Sequence, residues 1–243
     1  MKRTLLILTA FLFVSTLFAQ ETDLQEEVQN EFTESPAQDV FPDSQSPAPL
    51  PFDFVLQFEP AIYINTESTL VSAPSPIVYP ISFGIIWPNY SKIAVQPTLS
   101  FFMMQHLLYD GKAVPAEIEN RTTTTLSFML NIPVVFSFFM SNSRFQVWTG
   151  PAVFMRFGLL SPGVKETDSG WLGSAGEDVS AINSWFWNDL RWFYFTAGGT
   201  WLYNLTSNLR AGPVMQISIP VGGLISDHTA QGMLISLGIK ICR

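Results

Sequence analysis

Bulky apolar residues fall on every second position through eight separate stretches of this chain, a period that extended strands have and helices do not. In the first stretch Phe52, Phe54, Leu56, Phe58, Ile62 and Ile64 share one face, while Asp53, Val55, Gln57, Glu59 and Tyr63 share the other. The second sets Ile77, Tyr79, Ile81, Phe83, Ile85 and Trp87 against Ser82 and Gly84, and the third sets Ile93, Val95, Leu99, Phe101 and Met103 against Gln96, Thr98 and Ser100. The remaining five run from Leu126 to Phe138, Phe145 to Phe157, Phe193 to Tyr203, Leu209 to Ile219 and Met233 to Ile241. Each has one greasy face and one face rich in Gly, Ser, Thr and Gln.

The connections alternate. Tight polar turns at Pro88 to Lys92, Met140 to Ser143 and Asn204 to Asn208 join strands two to three, four to five and six to seven. The other gaps, Asn65 to Pro76, Gln105 to Thr123, Gly158 to Leu190 and Gly222 to Ala230, are long. Short turns on one side and long loops on the other predict an all-β fold, an eight-stranded antiparallel up-and-down transmembrane β-barrel. A soluble barrel would show the same alternation, so the placement of charge decides which solvent lies outside. Between Thr124 and Phe157 the only charges are Arg144, read as part of a turn, and Arg156 on the polar face. A water-facing surface is rich in Lys and Glu, and this greasy face has none. Outward aromatics gather near the short turns, with Trp87, Phe136, Phe138, Phe145, Trp201 and Tyr203 expected at the lipid interface. Tyr79, Phe101, Phe157 and Phe193 are expected to form the opposite belt.

Composition changes this picture mainly at the ends. Lys2 and Arg3 followed by an apolar run to Ala19 read as a secretory signal, residues 1–19. Residues 20–51 hold eight acidic side chains followed by a Pro/Ser-rich stretch and read as a disordered periplasmic tail, leaving 52–243 for the barrel. The lone Cys242 excludes an internal disulfide. The net charge of -8 argues against nucleic acid as a partner.

The barrel segment resembles the small outer-membrane barrels of two-membraned bacteria, the family typified by the OmpA transmembrane domain, OmpX and OmpW. The likeness lies in pattern and in two segments flanking a turn, Leu130-Asn131-Ile132-Pro133-Val134 and Thr149-Gly150-Pro151. It implies a monomer in the cell outer membrane, surrounded by outer-membrane lipid and inserted by the barrel-assembly machinery, with its tail in the periplasm. Such barrels usually end in an aromatic residue, whereas this chain ends Ile241-Cys242-Arg243. No peptidoglycan-binding domain is expected after the last strand.

Chemistry is sparse. The inward charges are Asp53, Glu59, Arg156, Arg210 and Lys240, and closure of the barrel is expected to bring Asp53, Lys240 and Arg210 into one polar plug with low conductance. Val55, Ile86, Phe102, Met104, Trp148 and Phe154 also point inward, so an apolar pocket for small apolar molecules, as in OmpW-like carriers, stays open beside the plug. Lipid A modifying enzymes exist on this architecture, but Ser226, Asp227 and His228 are neighbours on one loop, and His106 lies just past the third strand. Neighbours in sequence on a loop do not form a catalytic triad, so no enzyme, cofactor or metal is expected. The loop from 158 to 190 combines Glu166 and Asp168 with Trp171, Trp185, Phe186 and Trp187 and is expected to meet an external ligand or host molecule. Val179, Ile182, Trp185 and Phe186 also fit one face of a short helix that covers the barrel mouth or rests on the lipid interface.

Overall fold

A computed structural model describes residues 51–66, 76–115, 122–226 and 229–243. The expected signal, the acidic tail up to residue 50, Asp227 and His228 lie outside the described residues.

The eight apolar stretches form the eight staves of a closed antiparallel barrel. Stave one is β1 (Asp53–Phe58) with β2 (Ala61–Tyr63), and stave two is β3 (Ile77–Val78) with β4 (Ile81–Ile86). Stave three is β5 (Ile93–Val95) with β6 (Thr98–Tyr109), beyond which β7 (Lys112–Pro115) folds back as a hairpin. Stave four is β8 (Thr123–Asn131) with β9 (Val134–Phe139). The last four are unbroken: β10 (Ser143–Leu160), β11 (Phe193–Asn204), β12 (Arg210–Ile219) and β13 (Leu234–Cys242). Each stave pairs with its neighbours in sequence, and β13 pairs with β1 and β2 to close the ring. Two short helices, α1 (Ala175–Trp187) and α2 (Val221–Ser226), sit in the long connections. Among the described residues no helix is long and apolar enough to cross a membrane.

The breaks in the first four staves fall at Pro60, Pro80, Pro97 and Pro133. Proline has no N–H to donate to a ladder, so strand pairing stops there, although the proline carbonyl still accepts. The amides of Ile85, Gln96 and Ile132 donate to Pro97, Pro133 and Pro151 at 3.1, 3.0 and 3.1 Å. Three adjacent staves thus keep one side of each exchange and lose the other. Facing residues yield space: a Cβ on Gly150 would come within 2.5 Å of the Cα of Pro133.

Pleating sends side chains alternately in and out, and the burial record follows the sequence pattern along every stave. No Asp, Glu, Lys or Arg faces outward from the eight staves. Phe83, Met215 and Leu237 each expose about three fifths of their surface, far more apolar exterior than a water-soluble protein carries. The outward aromatics near the short turns touch in sequence around the wall, Phe138 to Phe145 at 6.0 Å, Phe145 to Trp201 at 5.8 Å and Trp201 to Tyr203 at 6.4 Å. Phe101, Phe128, Phe157 and Trp187 form the matching run toward the long loops.

The second long connection is shorter than the pattern indicates. β6 continues to Tyr109, and Asp110 and Gly111 carry φ of 48° and 71°, the left-handed pair of a two-residue hairpin turn. The wall therefore stands higher here, and its inner residues Leu108 and Ala113 receive the helix from the largest loop.

Candidate functional site

The barrel interior is layered. Nearest the short turns, Val55, Ile86, Ala94, Val135, Trp148, Leu202, Val214 and Cys242 pack together. At that end the Asp53 carboxylate is bound by Arg210 and lies 3.8 Å from Arg144, while its other oxygen accepts from Asn89 Nδ2 at 3.0 Å. One anion thus serves two guanidiniums, Arg144 buried and Arg210 partly exposed. Arg144 is on the same pleat face as Gln146, which turns it inward rather than leaving it in the turn where the pattern placed it.

Lys240 is not part of that rim. Register sets it opposite Gln57, two pairs above Val55 and Cys242. There its ammonium donates to Gln96 Oε1 at 2.6 Å and Gln146 Oε1 at 3.1 Å and lies 4.9 Å from the Trp148 ring. Glu59 is buried higher on stave one, and its Oε1 has no hydrogen-bond partner among the described residues. The expected joint plug of Asp53, Lys240 and Arg210 is therefore corrected to an Asp53 rim with two arginines and a separate lysine held by amides. Depth within the barrel follows from strand stagger, which residue spacing alone does not reveal.

The upper interior is aromatic. Tyr63, Phe102, Phe154 and Tyr194 fill it, and Arg156, 2% exposed, stands among them. Its Nη1 donates to the Tyr63 hydroxyl at 3.2 Å and its Nη2 to the Arg191 carbonyl at 2.9 Å. The guanidinium lies 4.4 Å from the Phe186 ring and 4.6 Å from that of Phe154. His106, fully buried beside Phe186, has no partner for either ring nitrogen among the described residues. It belongs to the sealed interior of stave three, not to the exposed loop beyond it.

The largest loop is a fixed cap. Ser174 begins α1 with a reciprocal box: its Oγ accepts from Glu177 N at 3.3 Å, and Glu177 Oε2 accepts from Ser174 N at 3.1 Å. Asp178 is buried and gathers three donors, Trp171 N and Leu172 N at 2.9 Å and Thr122 Oγ1 at 3.0 Å, tying the loop to the start of β8. Asn183 clasps the Gly158 backbone from both sides, accepting at 2.8 Å and donating at 3.0 Å. Ile182 and Phe186 pack on Leu108 and Ala113, so of the two placements open to this helix the one over the mouth is realised.

Those contacts redistribute the residues expected to form an outer interaction face. Phe186 is 1% exposed and is withdrawn from that face, because it closes the barrel interior. Trp185 is half-buried beneath the Arg191 guanidinium at 4.7 Å. Trp171 is 68% exposed, with Leu172 beside it, and Trp187 is also exposed. Glu166 is exposed, and Asp168 Oδ2 accepts from Lys165 N at 2.8 Å to form a turn. Among the described residues no group of three His, Cys, Asp or Glu side chains is arranged to hold a metal.

No protein-family profile matches the chain, and no curated protein does. Solved structures that match it include small outer-membrane β-barrels and a designed transmembrane β-barrel. The N-terminal β-barrel domain of Pseudomonas aeruginosa OprF is 10% identical, covering 79% of this chain and 98% of that one with a TM-score of 0.38. Ail, the attachment invasion locus protein of Yersinia pestis, is 6% identical, covering 79% and 95% with a TM-score of 0.42. The outer membrane protein AlkL is 12% identical, covering 86% and 92% with a TM-score of 0.29. The assignment of the fold rests on the closed strand pairing itself.

Proposed function

We propose that this chain is an outer-membrane barrel that does not conduct and does not catalyse, and that meets its partner through the cap on its outer end. The observation that carries this reading is the combination of a filled lumen with a pinned cap. Arg156, Tyr63, Tyr194, Phe154 and Phe186 are fully buried side chains across the upper barrel, and Asn183 and Asp178 fasten α1 and its preceding loop above them. Eight strands enclose only enough space for side chains, so a filled interior is the expected state of a barrel of this size. Trp171 and Leu172 are displayed from a loop whose backbone amides are held by a buried carboxylate, which spares a partner the cost of ordering it.

Cys242 is buried, and it is the chain's only cysteine, so Trp171→Cys and Asn208→Cys each add one accessible thiol. On intact cells a membrane-impermeant maleimide is expected to label the first and not the second. The protein itself is expected in the outer-membrane fraction, with gel mobility that shifts on boiling. Labelling of Asn208→Cys alone, or recovery as a soluble periplasmic protein, would overturn the reading. In planar bilayers the purified chain is expected to give no stable channel.

A further inference from the structure

A narrow pocket opens at the long-loop end of the barrel, where α1 and α2 approach β10 and β11, and Arg156, Arg191, Trp185, Tyr194, Thr229 and Gln231 line it. Two of its lining side chains carry buried donors that have no acceptor among the described residues. Arg156 spends both terminal nitrogens on Tyr63 and the Arg191 carbonyl, while its Nε has no acceptor among the described residues. Gln231 is 8% exposed, and its Nε2 also has no acceptor among the described residues. The orientation of that amide is fixed by its other end. The backbone N–H of Thr66 can only donate, and it reaches Gln231 Oε1 at 2.5 Å, so the oxygen must face Thr66 and the NH2 must face away.

Charge points the same way. Among the described residues no carboxylate lies within ion-pair distance of Arg156, whose neighbours are neutral acceptors and aromatic faces. A buried cation and a buried amide donor, both short of an acceptor on one pocket, form a receptor for negative oxygen. Planar, forked donors suit an oxyanion particularly well.

We propose that this pocket binds a single small oxyanion, a carboxylate or phosphate group, through Arg156 and Gln231 at the outer mouth of the barrel. The aromatic walls Trp185 and Tyr194 shield the anion from water and strengthen its bond to the guanidinium. The pocket belongs to the folded barrel, so its existence does not depend on what the Trp171 face meets; loss of that surface interaction leaves it standing.

The full chain, refolded into phosphatidylcholine nanodiscs, is titrated calorimetrically with inorganic phosphate and with citrate. Saturable binding at one site is expected for at least one of the two. Gln231→Glu keeps the oxygen that accepts from Thr66 and replaces the donor by a carboxylate inside the pocket, so it is expected to abolish binding in a barrel that still shows its heat-shifted mobility. Arg156→Gln is expected to weaken binding about tenfold or more. Repeating the titration with lipid A in the discs identifies the source of the anion: suppression assigns the pocket to a lipid headgroup, unchanged binding assigns it to a soluble anion, and both uphold the site. A folded wild-type barrel that binds neither probe overturns the proposal, as does binding that survives unchanged in Gln231→Glu.

Discussion

The two ends of this barrel both bury arginine, and they treat it in opposite ways. Near the short turns Arg144 and Arg210 converge on the carboxylate of Asp53. Near the long loops Arg156 is surrounded by a tyrosine hydroxyl, a backbone carbonyl and two ring faces. The first arrangement has its anion supplied by the chain. The second has only neutral neighbours, and an Nε without an acceptor among the described residues is common to Arg210 and Arg156. The same side chain therefore serves as a closing bolt at one end and as a point of reception at the other.

The largest expected effect comes from breaking the end whose anion the chain supplies. Asp53→Asn leaves two guanidiniums without an anion and is expected to destabilise the barrel by about 3 kcal/mol, read from urea unfolding in lipid vesicles. Adding Arg210→Gln to that variant is expected to recover part of the loss, since it removes one of the stranded charges. Arg156→Gln gives up two hydrogen bonds and its ring contacts but abandons no carboxylate, so the same assay is expected to read about 1 to 2 kcal/mol. Equal losses at the two ends would erase the distinction between them. Smaller again is Gln231→Glu, which offers the upper arginine an internal anion and is expected to raise stability by roughly 0.5 kcal/mol. The smallest effect is at His106, whose ring nitrogens have no partner among the described residues. His106→Leu is expected to leave stability unchanged or raise it by less than about 1 kcal/mol, and a clear loss would show that those nitrogens are satisfied in solution.

What could be seen in the sequence was whatever depends on parity. Alternation separates Phe54, Leu56 and Phe58 from Asp53, Val55 and Gln57, and the burial of β1 follows it residue by residue. The outward parity of the strand aromatics follows from the same counting, whereas the contacts of Phe128 and Trp187 on the long-loop side do not. Depth did not, because strand stagger decides which inward residues meet: Asp53 finds Arg210 across a gap of 157 positions, while Lys240 is carried past it to Gln96 and Gln146. Arg144 was overlooked although its parity with Gln146 marked it as inward, since the polar turn beside it dominated the reading. Asp110-Gly111 is a hairpin signal that went unused, and with it the extra height of β6 and β7. The four strand-breaking prolines were visible as letters within apolar runs that alternation alone treated as continuous. Phe186 was misplaced for a subtler reason. One face of an amphipathic helix is equally compatible with a partner outside and a barrel below, and only the position of the Leu108 and Ala113 wall separates the two.

The row of prolines at Pro97, Pro133 and Pro151 gives the wall an uneven stiffness. A barrel in a bilayer is a hoop under lateral pressure, and its resistance to flattening comes from the bonds between adjacent staves. Where each exchange keeps one bond of two, the hoop is softer, and the continuous pairing of β12 with β13 is the stiffer seam across from it. Squeezing such a hoop turns its round cross-section oval along one preferred diameter, so changes in membrane tension reach the packed interior from one side more than from the other.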